Sequence, residues 1–259
     1  MNRGQLFWGA VLLLLGGLML AGQMGVTLPN GESPASVFLP LLLIGLGVWV
    51  LMGVFLRGSV KTESASVSLQ GAREAKALLS HGAGELLFHS GASGDELLRG
   101  SFVGGLEQDS ARSGERIEVR LRPAPFLFPT FGINDRRDWD VSFNPSIPTA
   151  LDMNLGANKS VIDLNDMNIT DFKLKSGASD TIVTLPARGR LKADFEVGAA
   201  SLTVIVPEGV AVRAKASIGA GDFTMDKTRF PSGDSPDFET AQNAVDIHVK
   251  GGAASVRIK

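Results

Sequence analysis

The sequence predicts an N-terminal transmembrane α-helical hairpin followed by an all-β C-terminal domain, a β-solenoid with repeats of about 21 residues. Two uncharged apolar runs occupy the start of the chain. Gly-Ala pairs then begin at Gly156, Gly177, Gly198 and Gly219, each 21 residues after the last. Apolar residues flank these pairs with period two, which marks strands that bury one face.

Residues 1–58 hold the expected two-helix hairpin, with spans at about 6–26 and 37–56. Each run is about 20 residues, enough for a helix to cross roughly 30 Å of hydrocarbon. The link "TLPNGESPAS" has turn chemistry in Pro29, Asn30-Gly31 and Pro34. A cleaved signal peptide competes for the first run, but no clean small-x-small site precedes Gln23. Arg3, Arg57 and Lys61 lie outside the runs, and the link holds no Lys or Arg. The positive-inside rule then puts both termini in the cytoplasm. The expectation is a multi-pass cell-membrane protein with a cytoplasmic soluble domain and the lipid bilayer as one partner.

Residues 64–122 form an irregular N-terminal β block. Gly82-Ala83 repeats the later template there, with Leu79 before it and Leu86 and Phe88 after it. Residues 123–148, rich in proline and aromatics, are a connector. Residues 149–259 are the Gly-Ala repeat. Three residues before each glycine stand Met153, Leu174, Phe195, Ala216 and Val249. Six after stand Ile162, Val183, Val204, Met225 and Ile258. The pair at Gly252 follows Gly219 by 33 residues, one period plus a 12-residue insertion, Thr228 to Glu239. Gly82, Gly156, Gly177, Gly198, Gly219 and Gly252 are therefore read as structural corners, where positive φ or close backbone approach calls for glycine. A phosphate-binding loop is a poor fit, because no helix follows the glycine.

Composition narrows the chemistry. The formal net charge of −2 gives no reason to expect nucleic acid. With no cysteine, disulfides, thiolate metal sites and thiol nucleophiles are excluded. His81, His89 and His248 share no metal-ligand spacing with an acid and read as surface residues. "DLNDMNITD", Asp163 to Asp171, offers oxygen ligands in Asp163, Asn165 and Asp166 but lacks the central Gly and closing Glu of an EF-hand loop. In "NDRRDWD", Asp135, Arg136, Arg137 and Trp139 are the candidate partner contact. No Gly-x-Ser-x-Gly elbow is present, and no catalytic residue, cofactor site or metal site is assigned.

"RGQLFWGAVLLLLGGLML" and the second apolar run resemble the LiaI/LiaF-like transmembrane region of bacterial envelope proteins. "LLSHGAGELLFHSGASGDELLRGSF" resembles the N-terminal part of a toast-rack domain. "WDVSFNPSIPTALDMNLGANKSVIDLNDMNITDFKLKSGASDTIVTLP" resembles its continuation into the β-solenoid of LiaF C-terminal and adhesin-like domains. The resemblance implies a non-enzymatic regulator in cell-envelope stress sensing, with a membrane sensor kinase or another envelope protein as partner. LiaF-like proteins often have more helices than this chain. An adhesin-like or surface-layer element outside the membrane is the alternative, and an enzyme or carbohydrate-binding groove ranks last.

Overall fold

The computed structural model describes residues 3–25, positions 36, 40, 43–45 and 47, and residues 62–125, 137–230 and 233–259. Contacts divide the chain into two units: Met1–Ser59 with Phe126–Asn134, and Val60–Pro125 with Asp135–Lys259.

In the first unit, α1 (Arg3–Gln23) is the described helix. Its Leu12, Leu13, Met19 and Leu20 are exposed. Among the described residues, no helix is long and apolar enough to cross a membrane. This corrects the expected transmembrane hairpin and, with it, the expected multi-pass membrane localisation. A spanning hairpin needs two continuous apolar helices of about 20 residues. Of the second span, only positions 40, 43–45 and 47 are described as helical; the rest lies outside the described residues.

The second unit is built of strands. In chain order they are β1 (Thr62–Ser68), β2 (Glu74–Ser90), β3 (Glu96–Val103), β4 (Leu106–Ser113), β5 (Arg116–Pro123), β6 (Trp139–Phe143) and β7 (Thr149–Asp163). β8 (Ile169–Ser176), β9 (Asp180–Thr184), β10 (Arg190–Val197), β11 (Ser201–Ile205), β12 (Ala211–Met225) and β13 (Ala244–Ile258) follow. They form two hydrogen-bonded ladders. One runs β4-β5-β2-β7-β8-β10-β13-β12. The other runs β1-β3-β6-β2-β7-β9-β11-β13-β12. The long strands β2, β7, β12 and β13 belong to both, because each passes through a Gly-Ala corner and continues on the other side.

The 21-residue spacing is a register. Leu151 pairs with Phe172, Phe172 with Ala193, Ser160 with Thr181, and Thr181 with Leu202. Alternate residues point inward, so Leu151, Met153, Phe172, Leu174, Phe195, Val183, Val204 and Ile247 join one core. Phe172 and Phe195 meet edge to face at 5.6 Å, a favourable aromatic geometry.

The uniform β-solenoid of 21-residue turns is also corrected, in two places. First, β1, β3 and β6 pair antiparallel, as do β4 and β5. Second, β13 inserts between β10 and β12. Gly252 therefore stacks on Gly198, and Gly219 stacks on Gly252, whereas the spacing alone would put Gly219 on Gly198. Strand composition accounts for the swap. β13 supplies Val245, Ile247, Val249, Val256 and Ile258 to the core, all buried, and suits a position flanked on both sides. β12 supplies Ala214, Ala216 and Gly221, and takes the end of the stack. The long connection between Met225 and Ala244 carries the chain back past β12.

The corners work by close approach. None of the six corner glycines has positive φ. A Cβ on Gly156 would lie 2.3 Å from the Gly82 carbonyl oxygen, and one on Gly198 2.8 Å from the Gly177 oxygen. The ladder continues through the bend: Ala178 N–H donates to the Gly156 carbonyl at 3.2 Å, and Ala199 N–H to that of Gly177 at 3.0 Å. Gly156→Ala should therefore cost about 1–3 kcal/mol, the scale of overpacking a tight site. Gly219→Ala should cost less, because its Cβ would stand 3.4 Å from the nearest backbone oxygen. Urea unfolding midpoints of the two variants test this order.

Candidate interaction surface

The outward positions of the first ladder form a lattice of alternating charge. Asp152, Lys173, Asp194, His248 and Lys215 face one another across five adjacent strands. The neighbouring rows read Lys192-Asp246-Arg213 and Lys175-Glu196-Lys250. Opposite charges on adjacent rungs attract, and like charges there would repel. Lys175 Nζ lies 2.9 Å from Glu196, and Lys192 Nζ 2.9 Å from Asp194. The Lys175 hydrogen bond lowers the pKa of Glu196, and the Glu196 hydrogen bond raises that of Lys175. Burial alone would raise the pKa of Asp194, but Lys192 and His248 outweigh it and the net shift is downward. An open groove of about 740 Å³ runs beside the corners, past Lys175, Ser176, Glu196, Gly198, Lys250 and Gly252. Lys175–Glu196 and Lys192–Asp194 pair within the lattice, while Asp152 Oδ1, Asp246 Oδ1 and His248 Nε2 lack hydrogen-bond partners among the described residues.

The outward side of the second ladder is different. Leu87, Val161 and Ile182 stand on adjacent rungs, 42%, 39% and 37% exposed. Rungs are about 4.8 Å apart, so the three form one aliphatic stripe. Beside it runs a polar row, Glu85, Lys159 and Asp180. A pocket of about 440 Å³ borders it, lined by Leu87, Val161, Ser101, Val103, Asp140 and Lys159. An apolar centre with a charged rim is the anatomy of a protein-binding patch. The sequence carried a signal for it: Leu87, Val161 and Ile182 each stand five residues after a corner glycine, where the period-two pattern calls for polar residues.

The two residues that follow each of the Gly-Ala pairs at Gly156, Gly177 and Gly198 divide by phase. Asn158, Ser179 and Ala200 point inward and are buried, while Lys159, Asp180 and Ser201 point outward and are exposed. Of the candidate contact in "NDRRDWD", Asp135 and Arg136 lie outside the described residues. Trp139 is buried, against His81 with ring centroids 5.1 Å apart and edge-on to Phe102 at 5.0 Å. The segment latches onto β2. Glu85 N–H donates to Asp138 Oδ1 at 3.0 Å. Arg137 packs its backbone over Gly84, whose φ of +107° and lack of a Cβ admit it.

His81 was expected on the surface and is instead 1% exposed. Its environment specifies a neutral tautomer: Nε2–H donates to the Arg137 carbonyl at 2.7 Å, and Nδ1 accepts from the Asn158 amide at 3.0 Å. Burial lowers its pKa, more than the bond to Arg137 raises it. His89 Nε2 lies 2.9 Å from Asp140 Oδ1 and 3.4 Å from Ser142 Oγ, while its Nδ1–H donates to the Ser90 carbonyl. A Ser-His-Asp triad uses opposite nitrogens for the serine and the acid; here both face one nitrogen, so proton relay fails. In the Asp163 loop, Asp163 Oδ1 accepts from Asn165 N–H at 3.0 Å and Asp166 Oδ1 from the Asn165 amide at 3.0 Å, a local turn. Among the described residues, no group of three or more His, Cys, Asp or Glu is arranged to hold a metal ion.

Stacked, largely parallel strands with an aliphatic stripe on one outer face define a β-rich repeat protein whose notable features are surfaces. Residues 56–205 match the family model described as the N-terminal domain of toast_rack, DUF2154. That is more than half of the chain, and the chain belongs to this family. The match begins at residue 56, beyond α1, so no LiaI/LiaF-like transmembrane region is shown by it. A crystal structure of a candidate cell adhesion protein from Clostridium sporogenes ATCC 15579 is similar, with TM-score 0.69, 20% identity, and coverage of 78% of this chain and 99% of that one. A candidate adhesin from Bacteroides fragilis NCTC 9343 aligns with TM-score 0.32 and 9% identity, over 78% of this chain and 98% of that one. The likeness to the Clostridium sporogenes protein, at 20% identity, concerns fold alone. No curated protein matches the chain.

Because burial lowers the His81 pKa below its ordinary 6.5, the unfolded chain binds this proton more readily than the folded one. The stabilisation is present above pH 6.5 and is lost as pH falls from there through the lowered folded value. Urea midpoints should drop between pH 7.5 and pH 5, and His81→Gln should flatten that drop.

Proposed function

We propose that this protein is a non-enzymatic scaffold that binds another protein through the Leu87, Val161 and Ile182 stripe. The carrying observation is three exposed aliphatic side chains on adjacent rungs of a face whose flanking row is charged. Membership of the toast-rack family and the absence of a nucleophile–base geometry at His89 support the same reading. The finer form is a LiaF-like regulator of cell-envelope stress sensing, with a sensor kinase or another envelope protein as the bound partner. A rigid ladder suits that role, because it holds the stripe at fixed spacing and spares binding the entropy of ordering a loop.

A second reading is an adhesin-like element, favoured by the fold shared with the Clostridium sporogenes protein. It would use the same face on a partner at another cell surface. Both readings place the contact on the stripe, and they differ in who binds it.

Val161→Lys puts a charge at the centre of the stripe. Binding to a reconstituted sensor kinase should weaken by about tenfold or more, as at an interface hot spot. Arg257→Ala, further along the same face, should change it little. Unchanged binding by Val161→Lys would reject the stripe. Binding to whole cells but to no kinase would favour the adhesin-like reading.

A further inference from the structure

The end of the stack is open at β12. Among the described residues, β12 pairs with β13 alone. Its other edge is covered at Val212 and Ala214. Ser235 N–H donates to the Val212 carbonyl at 2.7 Å, Ser235 Oγ accepts from Val212 N–H at 2.9 Å, and Asp234 Oδ1 accepts from Ala214 N–H at 3.2 Å. The backbones of 212 and 214 thus point away from β13, and strand alternation points those of Ala216 and Ile218 the same way. Beyond the corner, Asp226 N–H donates to Ile258 at 3.0 Å, so 226 faces β13 and the backbones of Phe223 and Met225 face away.

Side chains at these four positions lie on the core side of the strand. Ala216, Phe223 and Met225 stand opposite the buried Val249, Val256 and Ile258 of β13. They remain accessible because no further rung covers them; Phe223 is 38% exposed. The edge strand β4 at another end of the sheet is defended differently, with Glu107, Asp109 and Arg112 exposed along it. Charge on an edge discourages strand addition. The open stretch of β12, residues 216–225, has Asp222 as its single charge.

We propose that β12 is the interface for a second copy of this chain, paired antiparallel about a two-fold axis between Ala220 and Gly221. Ala216 then faces Met225 of the second copy, Ile218 faces Phe223, and Lys215 faces Asp226. Each pair occurs twice, as a two-fold interface requires. The register follows from three constraints. Both apolar pairs, Ala216 with Met225 and Ile218 with Phe223, join residues whose backbones point off the edge, so each can exchange two N–H···O bonds. Both apolar pairs also join core side to core side, small Ala216 against long Met225; a one-residue slip would oppose core side to solvent side. A two-residue slip in one direction sets Met225 against Ala214, whose N–H is already taken by Asp234; in the other it sets Phe223 against the exposed corner residue Ala220. The ends carry complementary charge in Lys215 and Asp226. This inference does not rest on the stripe, which lies on β2, β7 and β9.

Sedimentation of the full chain should show a dimer. Ala216→Pro removes a donor that points off the edge and leaves the β13 bonds in place; it should weaken the dimer by about tenfold or more. Because the chain has no cysteine, a mixture of Ala216→Cys and Met225→Cys chains should form an intermolecular disulfide under mild oxidation, and Ala216→Cys alone should not. Val161→Lys should leave the dimer intact, which separates this result from loss of the stripe's partner. A monomer at all concentrations, a dimer equally strong in Ala216→Pro, or equal cross-linking by Ala216→Cys alone would overturn the proposal. If Ala216→Pro fails to fold, the cysteine pair decides.

Discussion

At each corner the chain comes within contact of the rung beneath it, and that contact is made by backbone. Gly156 meets Gly82, Gly177 meets Gly156, Gly198 meets Gly177, Gly252 meets Gly198 and Gly219 meets Gly252. A side chain at the tightest of these would enter a carbonyl oxygen. Because the backbones approach so closely, corner N–H groups reach the carbonyls of the rung below and the hydrogen-bond ladder is unbroken through the bend. Continuous ladders on both sides of the corner keep every rung in register, and register keeps Leu174 under Phe195 and Val183 under Val204. The core and both outer faces inherit their order from this stacking.

Register also makes the outer faces into rows, and a row amplifies whatever residue type occupies it. On one face the rows alternate Asp or Glu with Lys, Arg or His, and neighbouring charges neutralise one another. On the other, three successive rungs place Leu, Val and Ile in one row, and isolated aliphatics become a stripe. The same physics governs the end of the stack. From Ala216 to Met225, β12 has apolar side chains in the core phase and no further rung beyond them among the described residues, so this stretch offers both unpaired backbone and uncovered surface.

The His81 cluster shows how a polar group is accommodated where two segments meet. Trp139 arrives on β6, Arg137 brings its carbonyl over Gly84, and the imidazole bridges that carbonyl and Asn158. Each of its nitrogens has a partner, so its burial carries no unsatisfied donor. The sequence "NDRRDWD" looks like a charged surface loop with one tryptophan, and in the fold its tryptophan is a core residue. Local composition could not reveal this, because Trp139 packs against Phe102 and His81, which are 37 and 58 positions away.

Much of the strand register was legible in the sequence. The 21-residue spacing and the apolar offsets at Met153, Leu174 and Phe195 identify which residues pair and which face the core, because a ladder repeats its chemistry at its own period. The stripe was legible in principle from apolar residues in the outward phase. Three things were settled only by tertiary structure. The apolar N-terminal run forms α1, and among the described residues no helix is long and apolar enough to span a membrane. The order of the last two rungs depends on competition for a flanked position, won by the β-branched β13 over the alanine- and glycine-rich β12. His81 and Trp139 were placed by contacts distant in sequence. Period determines which residues can stack; only packing determines which strand lies next to which.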